Sequence, residues 1–254
     1  MMDSVPGVPC WVSLTVRDRQ ATEEFYSAVL GWTFTDSPLG SGFRTATREG
    51  KPVAGFNEAA VSWQLPVRWT VFFSTPDADL ACDRVHERGA TVAVGPLRVG
   101  EGRAAMVADP QGAPFGLWQG ELPRGWEVGA GHAPAWLELH TSDAFAAALF
   151  YGEVLDWTKN PSHGVSYEEQ HDEVHILVDG ETVAGLRGGG IEAAPDPRRR
   201  TRWDVYFRAH DIDAALAAVE RTGGSVLSPV QQAPHGRYAT VRDPDGGLFS
   251  LLGP

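Results

Sequence analysis

The chain has 254 residues, 43% of them hydrophobic and 21% charged, with a formal net charge of −12. That composition excludes a disordered tail, a collagen-like repeat and a coiled coil, and the acidic balance opposes nucleic-acid binding, which needs clustered Lys and Arg. No run of about 18 apolar residues offers a membrane span, and two cysteines without a CxxC exclude a disulfide framework.

The chain begins Met1-Met2-Asp3-Ser4-Val5-Pro6, with no basic region leading into an apolar stretch, so no secretory signal is expected and the expected compartment is a reducing cytoplasm. Alternation over Trp11–Val16 predicts a first strand. Asp18 stands in cap position before a helix through Phe25-Tyr26 that ends near Gly31. Short strands follow, one of them through Val53-Ala54-Gly55. A second unit opens at Trp69 with an alternating strand, then the cap Asp77, then a helix stopped by Gly89. Three further strands pass Gly102-Arg103 and the tetrad Asp109-Pro110-Gln111-Gly112, a turn because Pro presets φ and Gly accepts φ > 0. The Gly- and Pro-rich stretch 120–134 reads as a linker. The expected division is a first domain 1–121, a linker 122–134 and a second domain 135–254.

From Trp136 the order repeats. Trp136, Leu139, Asp143, Phe150-Tyr151, Leu155 and Trp157-Thr158 echo Trp11, Leu14, Asp18, Phe25-Tyr26, Leu30 and Trp32-Thr33. Val183-Ala184-Gly185 echoes Val53-Ala54-Gly55. Trp203, Asp211, Asp213, Gly236-Arg237 and Asp243-Pro244 echo Trp69, Asp77, Asp79, Gly102-Arg103 and Asp109-Pro110. Ile212, Ala215, Leu216 and Val219 form the apolar stripe of the last helix, which Gly223-Gly224 ends. The stretch 187–202 is irregular, and its Arg198-Arg199-Arg200 run reads as a solvated loop before it reads as an anion patch. The order βαβββ therefore occurs four times, in two whole-domain copies.

Four βαβββ units, with Phe-Tyr and Leu-Gly-Trp in the first helix region and Asp-Pro-x-Gly before the last strand, resemble the vicinal oxygen chelate superfamily of glyoxalase I, bleomycin-resistance proteins and extradiol dioxygenases. The closer likeness is to tandem glyoxalase-like proteins. The resemblance covers essentially the whole chain and implies an α+β fold: two tandem domains, each a U-shaped mixed sheet around a cavity. It also implies metal-ligand slots. Here those slots hold Trp11, Thr70 and Gly116 in the first half, and Trp136, Asp204 and Ser250 in the second. Trp, Thr, Gly and Ser do not supply the imidazole and carboxylate set of a catalytic divalent metal, so no metal and no other cofactor is expected. Glu138, His140 and Asp204 could form a displaced trio only within tight ligand geometry. His171-Asp-Glu-Val-His175 lacks the Glu of a zincin helix and reads as strand. His86, His132, His163, His210 and His235 carry no recognisable role.

Strand parity sorts the candidate site residues. In the first half Trp11, Ser13, Thr15, Thr70, Phe72, Ser74, Met106, Ala108, Gly116 and Trp118 share a face that is aromatic and small-polar. In the second half Trp136, Glu138, His140, Asp204, Tyr206, Arg208, Thr240, Arg242, Ser250 and Leu252 share a face, with acids, a base and guanidiniums. His140 beside Glu138 or Asp204 suits a general base, and Tyr206 or Arg242 suits stabilisation of an enolate or phenolate oxygen. The alternative is an internal ion-pair network of Glu138, Asp204, Arg208 and Arg242. Ligand-binding candidates are Trp11, Thr70, Phe72, Trp118, Trp136 and Arg208. Cys82 lies on an apolar helix stripe and Cys10 has no activating neighbour, so neither reads as a nucleophile. The expected function is metal-independent binding of a small planar or aromatic molecule by a monomer or homodimer. The alternative is a metal-free isomerase, lyase or tailoring enzyme acting on a ketone, aldehyde or phenolic substrate.

Overall fold

The computed structural model describes residues 6–58, 60, 65–121, 123–157, 165–170 (backbone only), 173–188, 200–233 and 236–254. Four βαβββ modules follow one another. The first is β1 (Pro9–Thr15), α1 (Arg19–Leu30), β2 (Thr33–Asp36), β3 (Phe43–Arg48) and β4 (Lys51–Asn57). The second is β5 (Arg68–Ser74), α2 (Ala78–Glu87), β6 (Thr91–Val99), β7 (Gly102–Ala108) and β8 (Pro114–Gln119). The third is β9 (Trp136–His140), α3 (Ala144–Val154), β10 (Val165–Gln170), β11 (Glu173–Val178) and β12 (Glu181–Arg187). The fourth is β13 (Arg202–Arg208), α4 (Ile212–Arg221), the short β14 (Ser225–Val226) and β15 (Gln231–Ala233), β16 (Gly236–Arg242) and β17 (Leu248–Gly253). One mixed sheet runs β2-β3-β4-β1-β5-β8-β7-β6, and the other β10-β11-β12-β9-β13-β17-β16-β14, with β15 on β16.

Each helix starts where the sequence places its cap. Asp18, Asp77, Asp143 and Asp211 lie in extended backbone and accept from the N–H of Ala21, Leu80, Ala146 and Ala214 at 3.1, 3.1, 2.8 and 2.9 Å. Gly31, Gly89 and Gly223 follow the helix ends at φ of 68°, 71° and 85°, a region that a side chain disfavours. Strand β1 begins at Pro9, two residues before the expected start, and so includes Cys10.

The chain forms two compact units. One comprises Met1–Trp11, Val71–Arg124 and Leu137–Trp203; the other comprises Val12–Thr70, Gly125–Trp136 and Asp204–Pro254. Each unit draws on both sequence repeats, and each has an aromatic core built from repeated residues. In the second unit Tyr26 stacks on Trp32 at 5.3 Å and meets Trp69, Phe56, Phe25 and Phe249 edge-on or tilted. In the first unit Tyr151 stacks on Trp157 at 6.2 Å and meets Trp203, Phe73, Phe115 and Phe150.

The Asp-Pro-x-Gly turns do more than reverse the chain. The Tyr26 hydroxyl donates to Asp243 Oδ2 at 3.0 Å and accepts from Trp69 Nε1–H at 3.0 Å. The Tyr151 hydroxyl donates to Asp109 Oδ2 at 3.2 Å and accepts from Trp203 Nε1–H at 2.9 Å. Asp109 Oδ1 also accepts from Gln111 and Ala113 N–H, and Asp243 Oδ1 from Asp245 and Gly247 N–H. Every polar atom of these buried triads has a partner, as a low-dielectric core requires. Burial pushes both phenols well above their ordinary range, with the adjacent carboxylates adding to it. Burial also raises both carboxyls, against the backbone donors that lower them.

The stretch expected to be a linker packs closely. Trp126 is buried and its Nε1–H donates to Val53 O at 2.7 Å. Arg208 donates to Ala133 O at 3.4 Å and to Gly129 O.

Candidate functional site

Parity on β5, β7 and β8 places two different faces back to back. Val71, Phe73, Ala105, Val107, Phe115 and Leu117 are buried in the core of the first unit. The other face carries Phe72, Met106 and Trp118, all part-exposed. Register pairs Phe72 with Gly116 and Met106 with Gly116, so the glycine is the floor between them. A Cβ on Gly116 would meet Phe72 Cδ1 at 2.2 Å, and one on Gly102 would meet Trp118 Cζ2 at 2.6 Å. Two aromatic rings therefore lie flat across two glycines. This apolar face carries no ionisable side chain among Phe72, Ser74, Ala104, Met106, Ala108, Gly116 and Trp118.

The same geometry tests the fit of a metal. Gly116 occupies a slot where the resemblance calls for a carboxylate, and the ring of Phe72 fills the space that any side chain there would need. In the second half Ser250 Oγ lies 3.3 Å from Thr240 Oγ1, and Trp136 is buried. Of the slot residues only Asp204 carries a carboxylate. Among the described residues no three His, Cys, Asp or Glu side chains gather to hold a metal ion. The residues in these slots do not supply the imidazole and carboxylate set of a catalytic divalent metal.

A second cluster lies on β9, β12 and β11 in the first unit. Register sets Glu138 beside Gly185, His140 beside Arg187, Glu173 opposite Arg187 and His175 opposite Gly185. Glu138 is 5% exposed. Its Oε2 lies 3.0 Å from His140 Nε2, and its Oε1 lies 3.2 Å from Arg187 NH2. Arg187 turns its other contact to Glu173 Oε1 at 2.7 Å, and Glu173 Oε2 lies 3.4 Å from His175 Nε2. A buried carboxylate must be paired, and among the described residues both His140 and Arg187 pair with it. The result is a chain of imidazole, carboxylate, guanidinium, carboxylate, imidazole.

The remaining candidates stand in the second unit. Asp204 is buried on β13. Tyr206 is buried with its ring 5.7 Å from that of Tyr238. Arg242, part-exposed on β16, pairs its backbone with Ser225 and Leu248. Among the described residues, Glu138 and Arg208 each have other partners than those of the alternative ion-pair network. Arg208 spends its guanidinium on two backbone carbonyls, and Glu138 takes Arg187 instead. Of the displaced trio, Glu138 and His140 lie together on β9, and the Glu138 carboxylate also meets Arg187. Sequence reasoning missed Arg187 as a partner of Glu138, and with it Glu173 and His175, which continue the chain from Arg187. His163, His171, His235 and Arg198-Arg199 lie outside the described residues. His132 meets Glu49 at 3.2 Å. Both thiols are buried, which pushes Cys82 up to about 11 and Cys10 higher still. No helix among the described residues is long and apolar enough to cross a membrane.

Comparison with known proteins matches this architecture. The pattern of the glyoxalase/bleomycin resistance protein/dioxygenase superfamily matches residues 10–117, and that of the glyoxalase-like domain matches residues 136–252. The chain is 33% identical to the anthracycline biosynthesis protein DauV of Streptomyces sp. (strain C5), over 97% of this chain and 93% of that one. It is also 33% identical to the anthracycline biosynthesis protein DnrV of Streptomyces peucetius, with the same coverage. The Mn(II)-bound glyoxalase from Novosphingobium aromaticivorans shares the fold at a TM-score of 0.58 and 16% identity, over 98% of this chain and 82% of that one.

Proposed function

Because the chain belongs to the glyoxalase/bleomycin resistance protein/dioxygenase superfamily, with two glyoxalase-like domains in tandem, we propose that it is a metal-independent binder of a planar aromatic molecule. The observation that carries this reading is the part-exposed face of Phe72, Met106 and Trp118 over the glycine floor of Gly102 and Gly116. Flat rings and a polarisable thioether with no charge among them suit a flat, weakly hydrated ligand. The anthracycline biosynthesis proteins DauV and DnrV support the choice of class, since an anthracycline core is a planar fused quinone.

The test is titration of the full chain with 1,4-dihydroxyanthraquinone, read by tryptophan fluorescence and melting temperature. Saturable quenching is expected, with stabilisation of about 2.7 kcal/mol at a hundredfold excess over Kd. Trp118→Ala weakens binding about tenfold or more, and Gly116→Ala weakens it by displacing the ring of Phe72. A panel of planar aromatics that changes neither signal overturns the reading.

A second reading rests on a separate observation, the 3.0 Å contact between the buried Glu138 and His140. A carboxylate that fixes an imidazole is the arrangement of a general base. It suits proton abstraction from a ketone, aldehyde or phenolic substrate without a metal. Loss of turnover in His140→Ala with an unchanged melting temperature supports this reading; retained turnover removes it.

A further inference from the structure

Strand β5 begins with two polar side chains that have no hydrogen-bond or ion-pair partner among the described residues. Arg68 and Thr70 point to the face opposite Trp69 and Val71, which are buried in the core. Thr70 is 2% exposed, and its Oγ1 has no hydrogen-bond partner. Arg68 is half-buried and makes no side-chain hydrogen bond or ion pair among the described residues. Burial alone acts on its guanidinium and lowers its pKa.

The surroundings show that this lack of partners is local. Ser13 and Thr15 on β1 share the coreward-opposite face, and the Asn57 amide on β4 donates to both hydroxyls at 3.3 and 3.4 Å. These three side chains are neutral, and among the described residues no acid pairs with Arg68. The second repeat offers an internal comparison. The residues equivalent to Arg68 and Thr70 are Arg202 and Asp204, so that repeat carries its own carboxylate where the first has a hydroxyl. A half-buried guanidinium and a buried hydroxyl, both without partners, weaken a fold unless something else completes them. An oxyanion has the chemistry both groups lack: charge for a guanidinium and an acceptor for a hydroxyl.

We propose that Arg68 and Thr70 form a recognition site for the acidic oxygen of a small organic ligand, a carboxylate or an ionised phenol. Arg68 supplies charge and a planar donor fork, and Thr70 donates its hydroxyl hydrogen to the same oxygen. The site stands independently of the Phe72 and Trp118 face, because it is defined by charge and not by ring stacking.

The test uses the full chain, calorimetric titration at neutral pH, and three probes: 2-naphthoate, the neutral 2-naphthamide, and 2,4-dinitro-1-naphtholate. An acid is expected to bind about tenfold tighter than the amide, as one charge-assisted contact provides. A preference shown by 2-naphthoate identifies a carboxylate ligand, and one shown only by the naphtholate identifies a phenolate. Arg68→Met abolishes the preference, and Thr70→Val reduces it several-fold. Equal affinity for acid and amide, no saturable binding of either anion, or a preference that survives Arg68→Met overturns the proposal. The melting temperature gives an independent check. Neither substitution lowers it in the ligand-free protein, because neither group has a partner to lose, and a clear drop overturns the premise.

Discussion

Removal of one oxygen atom, in Tyr151→Phe, tests how the two repeats are joined. The Tyr151 hydroxyl is buried, accepts from Trp203 Nε1–H at 2.9 Å and donates to Asp109 Oδ2 at 3.2 Å. Phenylalanine fills the same volume, so no cavity opens. Two losses remain. The indole N–H of a buried Trp203 loses its acceptor, and leaving a buried donor unpaired costs about 1–3 kcal/mol. Asp109 keeps two backbone donors but loses its third. Phenylalanine is easier to desolvate than tyrosine, which offsets part of this, so the expected net loss is about 2 kcal/mol. For a chain of this size that lowers the melting temperature by about 4–8 °C. The assay is thermal and urea unfolding of Tyr151→Phe, Asp109→Asn and the double variant. The double variant is expected to lose less than the sum of the singles, because the residues share one hydrogen bond. Tyr26→Phe, in the other triad, should add to Tyr151→Phe without coupling. A loss below about 0.5 kcal/mol, the scatter of an ordinary surface substitution, refutes the reasoning. So does strict additivity of Tyr151→Phe with Asp109→Asn.

Two further outcomes follow from the same buried groups. The folded carboxyls of Asp109 and Asp243 are raised above the unfolded value. The native state therefore holds these protons more tightly, and their contribution is fully present below the ordinary carboxylate pKa and lost as pH rises through the raised one. Stability of the wild type relative to Asp109→Asn should fall across that acidic window and level off above it, as urea midpoints at stepped pH will show; a difference that rises with pH refutes it. The thiols of Cys10 and Cys82 are buried and raised. Ellman's reagent should therefore titrate neither thiol until denaturant is added, and prompt reaction of the native protein contradicts the burial of both.

Much of the fold is legible in the sequence because the residues that betray the repeat are the residues of the core. Trp32, Trp69, Trp157 and Trp203 surround Tyr26 and Tyr151, and large rings in close-packed interiors leave little room for change. The cross-pairing is not legible. Asp109 and Asp243 are equivalent as sequence, and nothing local says that Tyr26 takes Asp243 while Tyr151 takes Asp109. Alternation sufficed to bring Glu138 and His140 to one face. It could not supply Arg187 or Glu173, because that partnership depends on strand order and on the register of β11 with β12, which shifts at Ile176 and Leu177. The place where Phe72 covers Gly116 was equally hidden, since a glycine reads as a turn or a gap until the ring lying on it is seen.

The triads also bear on how such a duplicated chain can change over time. A duplication ordinarily frees one copy to drift while the other keeps the original role. Here Tyr26 and Trp69 answer to Asp243, and Tyr151 and Trp203 answer to Asp109. Each copy holds the counterpart that the other needs, so neither is a spare. A substitution at Asp109 should therefore be matched by change near Tyr151, in the opposite repeat. The two halves are bound to a shared history at these positions, and are left to diverge at others, as Thr70 and Asp204 have done.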